Sequence, residues 1–152
     1  MLVRRNILAL AAAAAGTFGY RTAAAQQPPS AVPPMPGMAM GGMTLEKCIS
    51  DCVGSHRMCL ATGQYCIEHG GPHTAAAHLA LLLDCAEMCM TTANSMLRRS
   101  PQHQVVCAAC AQICDACAES CETFRGDEAM ARCAKMCRGC AGSCRMMSKQ
   151  PI

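Results

Sequence analysis

Large side chains for a hydrophobic core are what this chain of 152 residues lacks: it has no Trp, two Phe and two Tyr. Phe18 and Tyr20 fall within the first 25 residues, leaving Phe124 and Tyr65 for the rest, and Leu, Ile and Val thin out after Leu83. A core packed mainly from aliphatic and aromatic groups is excluded, so its volume must come from Cys, Met and Ala. Charge of one sign is also missing. The formal +3 is the excess of 13 Lys+Arg over 10 Asp+Glu, and Arg4, Arg5 and Arg21 account for it. The remaining chain is neutral, which offers no attraction to nucleic acid or to an anionic membrane. There is no Ser/His/Asp order, no phosphate-cradling Gly loop and no pair of carboxylates facing a pocket, so the chain does not read as an enzyme.

What is present is sulfur, with 15 Cys and 13 Met. Cys107, Cys110, Cys114, Cys117 and Cys121 are spaced three, four, three, four, and Cys133, Cys137, Cys140 and Cys144 four, three, four. Alternation of three and four marks one face of an α-helix, so the thiols line an interior rather than a surface.

Punctuation divides residues 44–148 into four helices. Thr44 is the expected N-cap of the first, which ends before Gly70-Gly71. Pro72 is expected to open the second, running to about Arg99. Ser100-Pro101 restarts the chain for a third that ends at Gly126, and Asp127 caps a fourth running to about Met147. Helices of 20–26 residues with loops of two to four residues predict an all-α, antiparallel up-down-up-down four-helix bundle with a Cys-lined core. The expected inward faces are Leu45, Cys48, Cys52, Ser55, Cys59, Thr62, Cys66 and His69; then His78, Leu82, Cys85, Cys89, Thr92 and Met96. His103 precedes the five cysteines of the third helix, and Met130 and Met147 flank the four of the last. One end of such a bundle gathers Met43, Met96, His103, Met146 and Met147, and the other His69, His73, His78 and Met130. Both offer exchangeable ligands. His73, in a loop, is expected to be solvated, and Asp115, Glu119 and Glu122 to form an outer face.

Cu(I) suits the pattern because it is soft and accepts two thiolates. The pairs Cys48/Cys52, Cys85/Cys89, Cys110/Cys114, Cys117/Cys121, Cys133/Cys137 and Cys140/Cys144 are each placed to clasp an ion. With bridging thiolates the ratio approaches one Cu(I) per Cys and the filled core is neutral. Zinc would want four ligands and leave negative charge in the core. The iron–sulfur run ending in Cys-Pro is absent. Disulfides within one helix face are poorly oriented, and fifteen thiols cannot all pair. A store of Cu(I) is the first reading. A chaperone handing over few ions, an exported thiol redox protein and a zinc-binding protein are the alternatives.

Residues 1–25 read as a signal peptide: Arg4-Arg5, an apolar run from Ile7 to about Phe18, and small residues Ala23-Ala24-Ala25 before Gln26. The paired arginines resemble a twin-arginine signal, which implies export to the periplasm of a protein already folded, with no membrane association once the signal is removed. Residues 26–43 form a Pro- and Gly-rich arm carrying Met35, Met38, Met40 and Met43, read either as a soft-metal capture segment or as a plain tether. Residues 149–152 are a tail.

The signal, the four-helix pattern and the inward rows Cys107-x-x-Cys110-x-x-x-Cys114-x-x-Cys117-x-x-x-Cys121 and Cys133-x-x-x-Cys137-x-x-Cys140-x-x-x-Cys144 resemble the bacterial copper storage proteins. The resemblance covers about residues 44–148. It implies a bundle filling with many Cu(I) ions, homo-oligomers with tetramers among the exported members, and copper held for copper enzymes, for chaperones or for detoxification. It also implies a few His and Met ligands near an opening. By position these are His56, Met58, His69 and the Met43 end; His103, Met96 and Met147 come from the heptads themselves.

Overall fold

The computed structural model describes residues 44–152. The signal, the arm and Met43 lie outside the described residues. Four helices follow in order: α1 (Leu45–His69), α2 (Ala76–Leu97), α3 (His103–Glu122) and α4 (Glu128–Met147), with a 3₁₀ turn over Gly71–Thr74. None is long and apolar enough to cross a membrane.

Two of the expected caps form as read. Thr44 Oγ1 accepts from the Lys47 amide at 3.1 Å, and Asp127 Oδ1 accepts from the amides of Ala129 and Met130 at 2.8 and 3.0 Å. Each offers an oxygen to amides that have no partner within the helix. Gly70 ends α1 with φ 75° and ψ −163°, a backbone state open essentially to Gly, while its N–H bonds the Cys66 carbonyl.

Other boundaries differ from expectation. Pro72 opens the one-turn 3₁₀ segment, and α2 begins only at Ala76. Its C-terminus falls at Leu97 because Arg99 takes φ 49° and closes a turn back onto Met96 and Ser95. Ser100 accepts from the Gln102 amide through its hydroxyl and from the His103 amide through its carbonyl, so α3 starts at His103 with Pro101 in the turn. At the far end of α3, Thr123 turns its hydroxyl onto the Ser120 carbonyl, and the helix stops at Glu122, short of Gly126. The connections are accordingly longer than two to four residues.

Neighbours in sequence are neighbours in space, and α4 closes the ring against α1. Contacts run antiparallel: Cys52 meets Cys144 and Cys59 meets Cys137, while Cys89 meets Cys110 and Cys85 meets Cys114. The diagonal pairs α1/α3 and α2/α4 have no Cα atoms within 8 Å of each other. Across the axis their sulfurs approach each other, Cys59 to Cys117 at 4.0 Å and Cys85 to Cys137 at 3.9 Å. The axis of the bundle is thus a column of thiols, with Ala86, Ala93, Ala111, Ala118, Ala134 and Ala141 filling the space between helices. Among the described residues Leu82 is the one fully buried Leu, Ile or Val, beside the larger Met96, Met130 and Met147.

Candidate metal centre

Every cysteine points inward. All 15 are free thiols and none exceeds 1% exposure. Heptad spacing aligns them on each helix, and antiparallel packing interleaves the four rows. The closest approaches are between helices: Cys52–Cys144 and Cys89–Cys114 at 3.4 Å, Cys59–Cys137 and Cys85–Cys114 at 3.6 Å. Pairs four apart on one helix stand slightly wider, Cys85–Cys89 and Cys140–Cys144 at 4.0 Å and Cys110–Cys114 at 3.9 Å. The sequence reading placed the clasps along single helices, with bridges between them from cysteines three apart or on neighbouring helices; in the fold the helix-to-helix pairs are the closer ones.

Four sets bring their sulfurs within 4.8 Å of one another: Cys52/Cys110/Cys140/Cys144, Cys89/Cys110/Cys114/Cys140, Cys59/Cys85/Cys117/Cys137 and Cys117/Cys121/Cys133. Cys110 and Cys140 belong to the first two and Cys117 to the last two, so the sets are linked rather than isolated. Cys48 continues the column at one end, 3.9 Å from Cys144. At the other end Cys66 has a nitrogen neighbour instead, His78 Nε2 at 3.5 Å.

The protons of the column are shared. Thiols that donate to neighbouring sulfurs are held protonated well above the ordinary range: Cys59 toward Cys117, Cys89 toward Cys110 and Cys144 toward Cys107, with burial adding to each. Their acceptors are pulled the other way. Cys85 and Cys110 are lowered by Cys114 first, and Cys133 by Cys117. At Cys107 the Cys144 hydrogen bond favours the thiolate, but Cys48 and burial outweigh it and push the thiol up to about 12. Cys66, without a thiol donor, is raised by burial first. A soft cation entering the column therefore displaces protons from sulfurs already facing one another.

The other candidate ligands are dispersed. Met96 and Met147 are buried at the Cys48 end of the column. His103 is buried beside them, but its Nδ1 faces the Ser100 carbonyl at 3.0 Å and its Nε2 the Gln150 carbonyl at 2.7 Å. Both ring nitrogens face backbone carbonyls, one of which accepts from the N–H of the neutral ring. The tail is thereby tied down, and Ile152 packs against the core. His56 lies on the α1/α2 flank with Nδ1 on the Ala86 carbonyl at 2.9 Å. Met58 is half-buried in a cleft between α1 and α4. His69, expected on the inward face, is exposed, stacks on Tyr65 and lies tilted against His73. The last turn of α1 has rotated it out past Cys66.

His73, expected in solvent, is buried: the 3₁₀ turn folds it onto Phe124 and places Nε2 2.9 Å from Asp127 Oδ2. His78, which the sequence reading placed among the exchangeable ligands of this end, continues the inward face of α2 four residues before Leu82. Its Nδ1 is held by the Ser120 hydroxyl at 2.8 Å, which aims Nε2 at Cys66, and burial lowers its proton affinity, keeping that nitrogen available. Asp115, Glu119 and Glu122 form the expected outer face, gripped by Arg138 and Arg145.

Comparison with known proteins agrees with this geometry. The family model described as "Copper storage protein" matches residues 42–149. The crystal structure of the Nmul_A1745 protein from Nitrosospira multiformis is 46% identical, with 68% of this chain and 94% of that one covered and a TM-score of 0.65. The Cu(I)-bound copper storage protein BsCsp3 is 32% identical, with coverages of 68% and 96% and a TM-score of 0.64. Apo-Csp3 from Bacillus subtilis is 31% identical, with coverages of 69% and 99% and a TM-score of 0.62. The cysteine-rich protein YhjQ of Bacillus subtilis (strain 168), described as uncharacterized, is 34% identical over 86 residues, which is 57% of this chain and 80% of the relative.

Proposed function

The chain belongs to the copper storage protein family, and from that premise we propose that it holds about one Cu(I) per cysteine in the column between its helices. The observation that carries this is the linkage of thiol sets within 4.8 Å inside a closed core. Distance alone does not choose the metal. At a metal–sulfur bond of about 2.3 Å, two, three or four thiolates around one ion stand roughly 4.6, 4.0 or 3.8 Å apart. The observed separations of 3.4 to 4.0 Å open to any of these with small side-chain rotations.

Charge decides. Fifteen Cu(I) with fifteen bridging thiolates sum to zero, whereas a divalent ion with four thiolates carries two buried negative charges per site. Linked sets such as the pair sharing Cys110 and Cys140 also favour bridging over separate tetrahedra. Without copper the thiols can carry their protons, so both states can avoid buried net charge. All 15 cysteines are assigned as ligands, with His78 completing the Cys66 end and Met96 and Met147 the Cys48 end. His56, His69 and His103 are assigned to structure.

The role is storage rather than catalysis. The signal-like residues 1–25 support export to the periplasm by the twin-arginine route, with copper loaded before the thiols meet an oxidising compartment. Met35, Met38, Met40 and Met43 would then serve as a capture arm. Copper enzymes or chaperones are the recipients this reading calls for, with a homo-oligomer as the working form.

The test is an anaerobic Cu(I) titration of reduced protein (26–152) against a chromophoric chelator. The chelator should stay copper-free until about one ion per cysteine has been added. Saturation at one or two ions would replace the store with a chaperone.

A further inference from the structure

The outer surface of the bundle differs from side to side. Over α3 and α4 it is charged, with Asp115, Glu119 and Glu122 held by Arg138 and Arg145. Over α1 and α2 it is apolar. Leu60, Ile67, Leu83 and Leu97 are 44, 60, 53 and 64% exposed, so four large aliphatic side chains stand in water on these two helices. They belong to two rows. Val53, Leu60 and Ile67 recur every seven residues of α1, and Leu83, Met90 and Leu97 every seven of α2. A repeat of seven drifts by only about 20° per step, so each trio forms one stripe along its helix. Both stripes border the same seam. His56 Nδ1 reaches the Ala86 carbonyl across it. His56 lies between Val53 and Leu60, and Ala86 between Leu83 and Met90, at the three- and four-residue steps of one helix side. The inward heptads are taken by cysteine, so these two helices carry a second apolar heptad facing out.

We propose that this α1/α2 face is where a second copy of the chain docks, about a two-fold axis parallel to the helices. The inference rests on the homo-oligomer named with the storage reading and says which surface makes it. His56 stands level with Ala86, and Cys66 with His78. Val53 is therefore level with Met90, Arg57 with Glu87 and Leu60 with Leu83, to within about the 1.5 Å rise of one residue. A two-fold along the helices keeps every height and lays α1 of one copy antiparallel on α2 of the other. Leu60 then meets Leu83 of the partner subunit, Val53 meets Met90 of the partner subunit, and each contact is made twice. Arg57 and Glu87 lie on the outer margins of the two stripes. Both are exposed, and among the described residues neither takes part in an ion pair. The same axis sets Arg57 against Glu87 of the partner subunit on both sides of the apolar strip. An axis at right angles to the helices would set Arg57 against Arg57 instead. An apolar centre with a charged rim is how protein interfaces are built. The area also suffices. Two helices about 10 Å wide and about 33 Å long present roughly 650 Å² per copy, which doubled reaches the range of stable interfaces, about 1,200–2,000 Å².

The experiment is sedimentation velocity of the reduced full chain at micromolar concentration. Wild type should sediment with the mass of at least two chains. Leu60→Asp/Leu83→Asp should at least halve that mass with the helical circular dichroism retained. Arg57→Glu and Glu87→Arg should each weaken association about tenfold, and the two together should restore it. Because Arg57 and Glu87 are exposed, the charge variants decide the matter even if the aspartate variant misfolds. An assembly that survives Leu60→Asp/Leu83→Asp in folded form would overturn this surface while leaving the homo-oligomer standing. Charge reversals that weaken association without mutual rescue would overturn the two-fold. A wild type that sediments as one chain would sink the homo-oligomer as well, and the face would then be covered by residues 26–43 or by a different protein. Copper capacity is read separately from the chelator titration, so none of these results is mistaken for failure of the store.

Discussion

A cysteine inside this bundle is both a small apolar packing group and a soft ligand, and single substitutions can separate the two. Cys114 touches Cys85, Cys89 and Cys110, all within 3.9 Å. Cys114→Ala removes one sulfur from a core that keeps its Cβ, so it should cost about 1 kcal/mol of stability and leave the helical circular dichroism intact. Capacity in the chelator titration should fall by about one ion; undiminished capacity would remove Cys114 from the ligand set. Asp127 makes a different prediction. Its carboxylate accepts from the Met130 amide, His73, Tyr65 and the Ala129 amide, which hold it down at about 2 against 3.8. Because the folded value is the lower one, its stabilisation is fully present above the unfolded pKa and is lost as pH falls from about 4 toward 2. The thermal midpoint of the apo protein should drop across that window, and Asp127→Asn should flatten the drop while lowering the midpoint at neutral pH.

Helices here are held less by large buried side chains than by their ends and their many small contacts. Gly70 illustrates the first. Its φ of 75° with ψ −163° lets the chain leave α1 and fold the 3₁₀ turn over the Cys66 end. Gly70→Ala should therefore destabilise the protein by about 1–3 kcal/mol without changing helix content at low temperature, a loss readable in urea unfolding. The termini were legible from short-range chemistry where a single side chain decides, as at Thr44 and Asp127. They were misread where the turn depends on what it packs against. Pro72 can begin an α-helix as readily as a 3₁₀ turn, and only the docking of His73 on Phe124 and Asp127 selects the second. Likewise nothing local in Arg98-Arg99-Ser100 announces that Arg99 will take positive φ.

At the scale of the whole molecule, thiols and alanines fill the bundle where larger apolar groups would pack, and Cu(I) bound among them would tie the helices together. Cu(I) binds the folded column and not the unfolded chain in this arrangement, so loading should raise the thermal midpoint progressively with each equivalent. Hydrogen exchange at the buried faces of all four helices should slow together, because diagonal helices whose sulfurs face each other across the axis become cross-linked by metal. A midpoint indifferent to loading would mean that copper binds at the surface. Acid should reverse the process, since protons and Cu(I) compete for the same sulfurs.

The sequence by itself determined the helical period, the face each thiol occupies and the softness of the ligand set, because those properties depend on spacing and atom type and survive any tertiary arrangement. The membership in the copper storage family was legible for the same reason, from the rows Cys107 to Cys121 and Cys133 to Cys144. Only the tertiary structure decided which sulfurs are closest, that His103 serves the backbone while His78 faces Cys66, and that His73 is buried and His69 is not. Each of these depends on which residue of a second helix stands opposite. That is set by packing geometry across the bundle, about which the order of residues along one helix carries no direct record.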